Sequence, residues 1–295
     1  MLRYLQIRSK RAKGRGEDNM KQKEKKLLKN CRIVSLIMAV IVLVLSIGCQ
    51  RPMTTKEREE RLKELLKDKY GEEFEVRDLY VTGAVDAWCY PVNDPTMIFE
   101  VGTMSSMEEI AEDDYLQNIV GRQIDEKFQT DAEEAFGNCI FYTHIPLGST
   151  NGLASPRSDT VTLETLLDYE KEKGFSNSIL IDIYVEYDPV NENNVLKEYR
   201  LLKRVGEYMD LYGVDGTVTL FFGDYQFVED IKTALGKWRR ASKYGNDNIH
   251  NVLKNKVPLY LGFSDGKPIH RINDTEEFEM VDLQKYMELK KEALE

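Results

Sequence analysis

Fifteen residues, Ile33 to Ile47, run without a charge, and only Ser35 and Ser46 interrupt the apolar sequence. A helix of that composition has no polar side to turn toward water, so it cannot lie on the surface of a soluble core. It is also shorter than the roughly 20 residues of a spanning helix, and fits the roughly 7–15 of a secretory h-region. The folded part of the chain must therefore be built from the residues after Ile47.

Ahead of the run, Met20 to Arg32 (MKQKEKKLLKNCR) holds six Lys/Arg against one Glu. Such a basic segment stays on the cytoplasmic side. Behind the run come Gly48, a small residue suited to a signal-peptidase pocket, and Cys49. The string LSIGC, Leu45 to Cys49, resembles the lipobox of bacterial lipoproteins, with Ser46 where that pattern usually carries Leu. The resemblance implies that Cys49 is diacylated on its sulfur and becomes the mature N-terminus. The acyl lipid would be the only attached group, and the protein would sit on the extracellular face of the cell membrane. The plainer alternative is a short uncleaved anchor helix with Cys49 at the interface. Residues 1–19 read as sequence upstream of a true start at Met20, because RGEDNM back-translates to a purine-rich stretch like a ribosome-binding site. The expected layout is then a signal peptide over 20–48 and a tether over 49–54.

Charge narrows the partners. Residues 1–32 carry 12 Lys/Arg against 3 Asp/Glu, so with the whole chain at −10 the remainder carries −19. Phosphate backbones and anionic headgroups repel such a surface, which argues against nucleic acid and for standing off the membrane. Beyond Cys31 and Cys49 only Cys89 and Cys139 remain. They can pair in an extracytoplasmic setting, or stand as separate buried thiols. Their spacing matches no zinc pattern, and no metal or cofactor is expected.

Along the mature chain the periodicities predict α+β: two α/β units with small mixed or antiparallel sheets packed on helices. A diverged duplication would account for the shared alternation. The first unit, 55–147, reads α-β-β-α-β. Thr54 and Glu57 form a capping box for a helix ending at Gly71. FEVRDLYV and PTMIFEVGT read as strands. Ser105 and Ser106 with Glu108 and Glu109 predict a second capping box, opening a helix that runs to about Ala135. Met107, Ile110, Ile119, Val120, Ile124, Phe128 and Ala132 would form its core face. CIFYTHIPL closes the unit as a strand. GSTNGLASPRSDT, 148–160, is the sharpest composition shift and predicts a linker or mobile loop. The second α+β unit, 161–295, opens with a helix over Thr162–Lys173. ILIDIYVEYD is its first strand, with Ile179, Ile181, Ile183 and Val185 on one face and Asp182 and Glu186 on the other. A helix spans Val195–Tyr212, and TVTLFFGD is a buried strand whose Asp224 caps a helix to about Tyr244. Two strands then meet at Asp265-Gly266, and Asp274 with Glu277 caps a last helix.

No spacing with a catalytic mechanism is present: no G-x-S-x-G, H-E-x-x-H, C-x-x-C, phosphate-binding loop or EF-hand. SDGK, Ser264 to Lys267, matches S-x-x-K as a string, but with Gly inside it reads as a hairpin turn. His144, His250 and His270 have no partners at metal-ligand spacing and read as structural. Asp182 and Glu186 share a strand face and are the available acid/base pair, against the plainer reading of a solvated face. KWRRASKYG, Lys237 to Gly245, could meet an anionic polymer, but basic residues also gather where a helix ends. YVTGAVDAWCYPVNDP places Tyr80, Trp88 and Tyr90 among turn residues, as an exposed recognition loop or as a strand connection whose aromatics fold back on the core.

KYGEEFEV, YPVNDPTMIFEV and YLQNIVGRQIDEKF together resemble uncharacterised membrane-anchored lipoproteins of low-GC Gram-positive bacteria, over roughly residues 20–145. The resemblance implies a small extracellular α+β domain and brings no catalytic residue. The expectation is a tethered, non-enzymatic module that binds a protein or wall component, with Tyr80, Trp88 and Tyr90 as its surface. The alternatives are a cell-envelope enzyme with a carboxylate-based site, and an immunity or accessory lipoprotein.

Overall fold

Ile179, Ile181, Ile183 and Val185 alternate with polar residues, and an extended chain must put all four on one side. In the computed structural model all four are buried, on an inner strand of the larger of two sheets. The structure describes residues 38, 52–146, 157–172, 178–186, 192–237, 252–254, 256–271 and 278–294. Met1–Thr54 forms a unit of its own, and Thr55–Glu295 forms one compact unit. No helix among the described residues is long and apolar enough to cross a membrane.

The compact unit begins with α1 (Thr55–Tyr70), then β1 (Phe74–Val81), β2 (Ala84–Pro91), β3 (Phe99–Met104), β4 (Ile110–Asp113) and α2 (Tyr115–Phe136). It continues with β5 (Cys139–His144), α3 (Leu163–Glu172), β6 (Ser178–Glu186), α4 (Glu192–Leu211), β7 (Asp215–Gly223) and α5 (Tyr225–Lys237). β8 (Leu259–Ser264), β9 (Lys267–Arg271), β10 (Phe278–Met280) and α6 (Leu283–Leu294) complete it. β1 to β4 form an antiparallel sheet in sequence order. The six-stranded sheet runs β10-β9-β8-β7-β6-β5, and of its pairs only β6–β7 is parallel. Parallel neighbours need a crossover, which α4 supplies. The α+β class is as expected. The two sheets share neither strand number nor pairing pattern, so they are not two copies of one unit.

The expected division at 148–160 falls between β5 and β6, which are hydrogen-bonded neighbours from Cys139↔Val185 to His144↔Leu180. CIFYTHIPL therefore completes the second sheet rather than the first unit. Residues 147–156 lie outside the described residues. A single apolar cluster joins both sheets: Phe74, Val85, Phe99 and Val101 with Leu62 and Leu66 at one end, and Ile181, Ile183, Val218 and Leu220 at the other. Phe128 of α2, Leu202 and Val205 of α4 and Tyr286 of α6 belong to it as well. Each such fully buried side chain contributes about 1.5–3 kcal/mol of transfer free energy. A polar anchor runs through the helices too. Lys290 Nζ donates to both Glu198 carboxylate oxygens, at 2.7 and 2.8 Å, and Tyr286 Oη donates to the same carboxylate at 2.8 Å.

Local capping follows the sequence at several ends. Gly71 takes a left-handed φ of 77° and its N–H donates to the Lys67 carbonyl at 2.7 Å, closing α1. Thr162 and Thr165 cap α3 reciprocally, N–H to hydroxyl at 2.8 and 3.3 Å. The Phe227 N–H donates to Asp224 at 2.8 Å, the expected cap of α5. Asp265 and Gly266 both take positive φ, 49° and 68°, so SDGK is a tight β8–β9 turn. The Asp274–Glu277 cap lies outside the described residues; the described start of α6 is capped by Asp282, which accepts from the Lys285 N–H at 2.8 Å.

The helix expected from Ser105 starts instead at Tyr115, and Ile110–Asp113 is the edge strand β4. Two tertiary effects override the local capping pattern. Met107 is buried with a φ of 51°, and its carbonyl accepts from Arg61 Nε at 3.2 Å. Asp113, also buried, accepts from Lys69 Nζ and Tyr70 Oη, each at 2.6 Å, and from the Tyr115 N–H at 3.2 Å. Fixing that carboxylate ends the strand and sets the start of the helix just beyond it.

Candidate functional site

The stretch around Trp88 is neither a loop nor a plain connection. It is β2, an inner strand of the four-stranded sheet, and its alternation is legible afterwards. Val85, Ala87 and Cys89 face the core, while Asp86, Trp88 and Tyr90 take the other face. Register then sets neighbours on that outer face: Tyr80 lies opposite Asp86, and Trp88 lies between Asp78 on β1 and Glu100 on β3. Directly opposed residues bring their Cβ atoms within about 4.5–5.5 Å, so these side chains share one surface.

A recess of about 360 Å³ opens there, lined by Tyr80, Thr82, Asp86, Ala87, Trp88 and Glu100. Trp88 forms its buried floor at 5% exposure, and Tyr80 stands on the rim at 55%. Tyr90, half-buried opposite Glu75, lies farther along the strand and outside the lining. The structure thus brings together two of the three expected surface residues, and adds Asp86 and Glu100. Asp114 holds Glu100 in place: it is 1% exposed, its Oδ1 accepts from the Glu100 N–H at 2.8 Å, and its own N–H donates to the Glu100 carbonyl at 3.3 Å. Gly102, opposite Asp86, leaves room for another carboxylate. A Cβ there would meet Glu112 Cγ at 2.9 Å, so the glycine lets Glu112 lie over β3.

Cys89 and Cys139 are free, buried thiols on different sheets, which corrects the disulfide alternative. Each faces the apolar cluster from its own strand. Burial raises both above the ordinary thiol range, Cys139 to about 12, so neither is a ready nucleophile. Cys49 lies outside the described residues.

The acid/base pair does not assemble. Asp182 and Glu186 are four residues apart on β6, which at about 3.3 Å per residue separates them by roughly 13 Å. Paired glycosidase carboxyls stand only about 5–9.5 Å apart. Asp182 belongs to a row across the sheet, Tyr142–Asp182–Thr219–Tyr260. It accepts from Tyr184 Oη at 3.3 Å, and burial pushes it up to about 6 despite the Tyr184 and Thr219 hydrogen bonds. Glu186 instead accepts from Asn138 Nδ2 at 2.8 Å. His144 lies opposite Leu180 on the same face as Asp182, and His270 Nδ1 lies 3.1 Å from the Tyr260 carbonyl, to which it can only donate. His250 and 238–245 of the basic cluster lie outside the described residues.

No family model matches the sequence, and no curated protein does. Among solved structures the chain is similar to a DUF5037 family protein from Ruminococcus gnavus, a Gram-positive bacterium. The two are 18% identical with a TM-score of 0.52, over 79% of this chain and 98% of that one. That likeness establishes a shared fold.

Proposed function

We propose that this protein is a lipid-anchored, non-enzymatic binding module on the extracellular face of a Gram-positive cell membrane, and that the Trp88 recess is where it meets its ligand. One observation carries the reading: a concave site of about 360 Å³ floored by a tryptophan, with Tyr80, Asp86 and Glu100 around it, on the sheet face that the apolar core does not use. Aromatic floors with a few placed polar groups are the common form of small-ligand sites. The anchor rests on the basic segment, the short apolar run and the LSIGC string.

In-cell crosslinking of the tagged full chain, with mass spectrometry of what is captured, tests both parts. A reproducible ligand or partner should be lost on Tyr80→Ala. Cys49→Ala should release the protein from membranes and abolish labelling by a palmitate analogue. Capture unchanged by Tyr80→Ala would move the binding surface elsewhere, and lipid labelling that persists in Cys49→Ala would remove the anchor.

A further inference from the structure

We propose that the hairpin end of the four-stranded sheet dips into the headgroup layer of the lipid bilayer, an inference that rests on the Cys49 anchor proposed above. LYVTGAV, Leu79 to Val85, is seven residues without a charge between Asp78 and Asp86, in a chain that is 31% charged. It forms the end of β1, the turn and the start of β2. Tyr80 and Val81 stand 55% and 46% exposed there, and Met104, opposite Ala84 at the end of β3, stands 64% exposed. Single exposed apolar residues are ordinary on a protein surface. Three gathered at one end of a sheet form a patch, and a tyrosine among them can sink its ring while keeping its hydroxyl wet.

That end is also the one from which the chain leaves toward Cys49. α1 and β1 run antiparallel, since Lys63 Nζ pairs with Glu75 at 2.6 Å and Lys67 pairs with Glu73. From the Lys63–Glu75 pair, about 12 Å of helix lead back to Thr55, while about 20 Å of strand lead on to Val81. The hairpin thus reaches beyond the first residue of α1. Arg61 Nε, donating to the Met107 carbonyl at 3.2 Å, holds the β3–β4 connection against the same stretch of helix. Residues 50–54 are all that separate Cys49 from α1, so acylation keeps Thr55 within about 20 Å of the bilayer surface. Carboxylates set the depth. Asp78 and Asp86 flank the uncharged stretch, and Glu108 and Glu109 lie exposed in the β3–β4 connection, so contact stops at the headgroups. The −19 carried by residues 33–295 opposes wider contact with anionic lipid.

The full-length, lipidated protein reconstituted into phosphatidylcholine vesicles tests this. Cys89 and Cys139 are buried, so an environment-sensitive thiol fluorophore reports on a single introduced cysteine. Probes at Val81→Cys and Met104→Cys should shift to the blue and be quenched by lipids spin-labelled near the headgroup. Val92 is 52% exposed at the opposite end of the sheet, where its N–H donates to the Glu73 carbonyl, and Phe278 is 58% exposed on the other sheet. Probes at Val92→Cys and Phe278→Cys should stay in water. Met104→Glu should abolish quenching at Val81→Cys, while the protein still sediments with the vesicles and keeps its circular dichroism. Sedimenting protein whose Val81→Cys and Met104→Cys probes stay in water would overturn the docking and leave the anchor standing. Quenching at Val92→Cys or Phe278→Cys instead, or quenching that survives Met104→Glu, would do the same. Protein that stays in the supernatant would overturn the anchor and this inference with it. Val81 and Met104 do not line the Trp88 recess, so ligand capture there is judged separately.

Discussion

The second faces of both sheets carry buried and exposed aromatics: Tyr142, Tyr184, Phe221 and Trp88 are closed over, whereas Tyr260 on the larger sheet and Tyr80 on the smaller stand about equally exposed. On the six-stranded sheet, Tyr142, Tyr184 and Phe221 lie under Phe227, Val228 and Ile231 of α5, and the Tyr184 and Phe221 rings stack at 5.3 Å. On the four-stranded sheet, Tyr80 stands 55% exposed beside the Trp88 recess. On the larger sheet α5, which comes directly after β7, covers Tyr142 and Tyr184 and leaves Tyr260 exposed. An aromatic on a strand's second face is therefore ambiguous until it is known which helix returns over it.

The largest losses are expected where polar groups are sealed in. Lys290→Met leaves the Glu198 carboxylate buried without its cation, and should cost about 3–5 kcal/mol in urea unfolding. Tyr184→Ala removes the 2%-exposed ring under α5 and should cost about 3–5 kcal/mol as well. A loss below about 1 kcal/mol for Tyr184→Ala would mean that the second face of the larger sheet is as open as that of the smaller one.

Acid titration sharpens the same contrast. Asp125, between α2 and β5, accepts from the Thr143 N–H at 2.6 Å, and burial pushes its carboxyl up to about 8. The folded state then holds that proton more tightly than the unfolded chain. Its contribution is fully present below about pH 4 and is lost as pH rises toward 8, by at most about 1.4 kcal/mol per pH unit. Asp182, raised to about 6, adds a shorter slope of the same sign. Asp125→Asn should flatten stability between pH 4 and 8 in denaturant titrations, and a wild-type curve that rises over this window would refute the assignment.

Smaller effects belong to the open face. Gly102→Ala meets only the flexible Glu112 side chain, so it should cost within about 1 kcal/mol while displacing that carboxylate from β3. Tyr80→Ala, at the exposed rim, should shift stability by no more than about 0.5 kcal/mol; a larger loss would make the rim part of the core.

Much of the secondary structure was legible. Period-two patterns located β1 and β6, a continuous apolar run located β7, and local chemistry at Asp224, Gly71 and Asp265-Gly266 marked the ends and turn that form. The recess was legible only in part. Tyr80 and Trp88 stood out as aromatics, but β2 was hidden among turn-forming neighbours, and Asp86 and Glu100 became partners only through register. The capping-box pattern at Ser105 misled because a buried Met107 and a three-donor Asp113 outweigh a surface cap.

Which residues share a face of one strand or helix follows from the sequence alone, because side-chain alternation and helical spacing are properties of the local backbone. It also carried the acidic balance of the chain after residue 32. Long-range packing decided that β5 joins β6, that one core links the two sheets, and that α5 closes over part of one sheet's second face while the other holds a recess. Those outcomes depend on contacts between segments far apart in the chain, where several arrangements satisfy the same local pattern and only packing separates them.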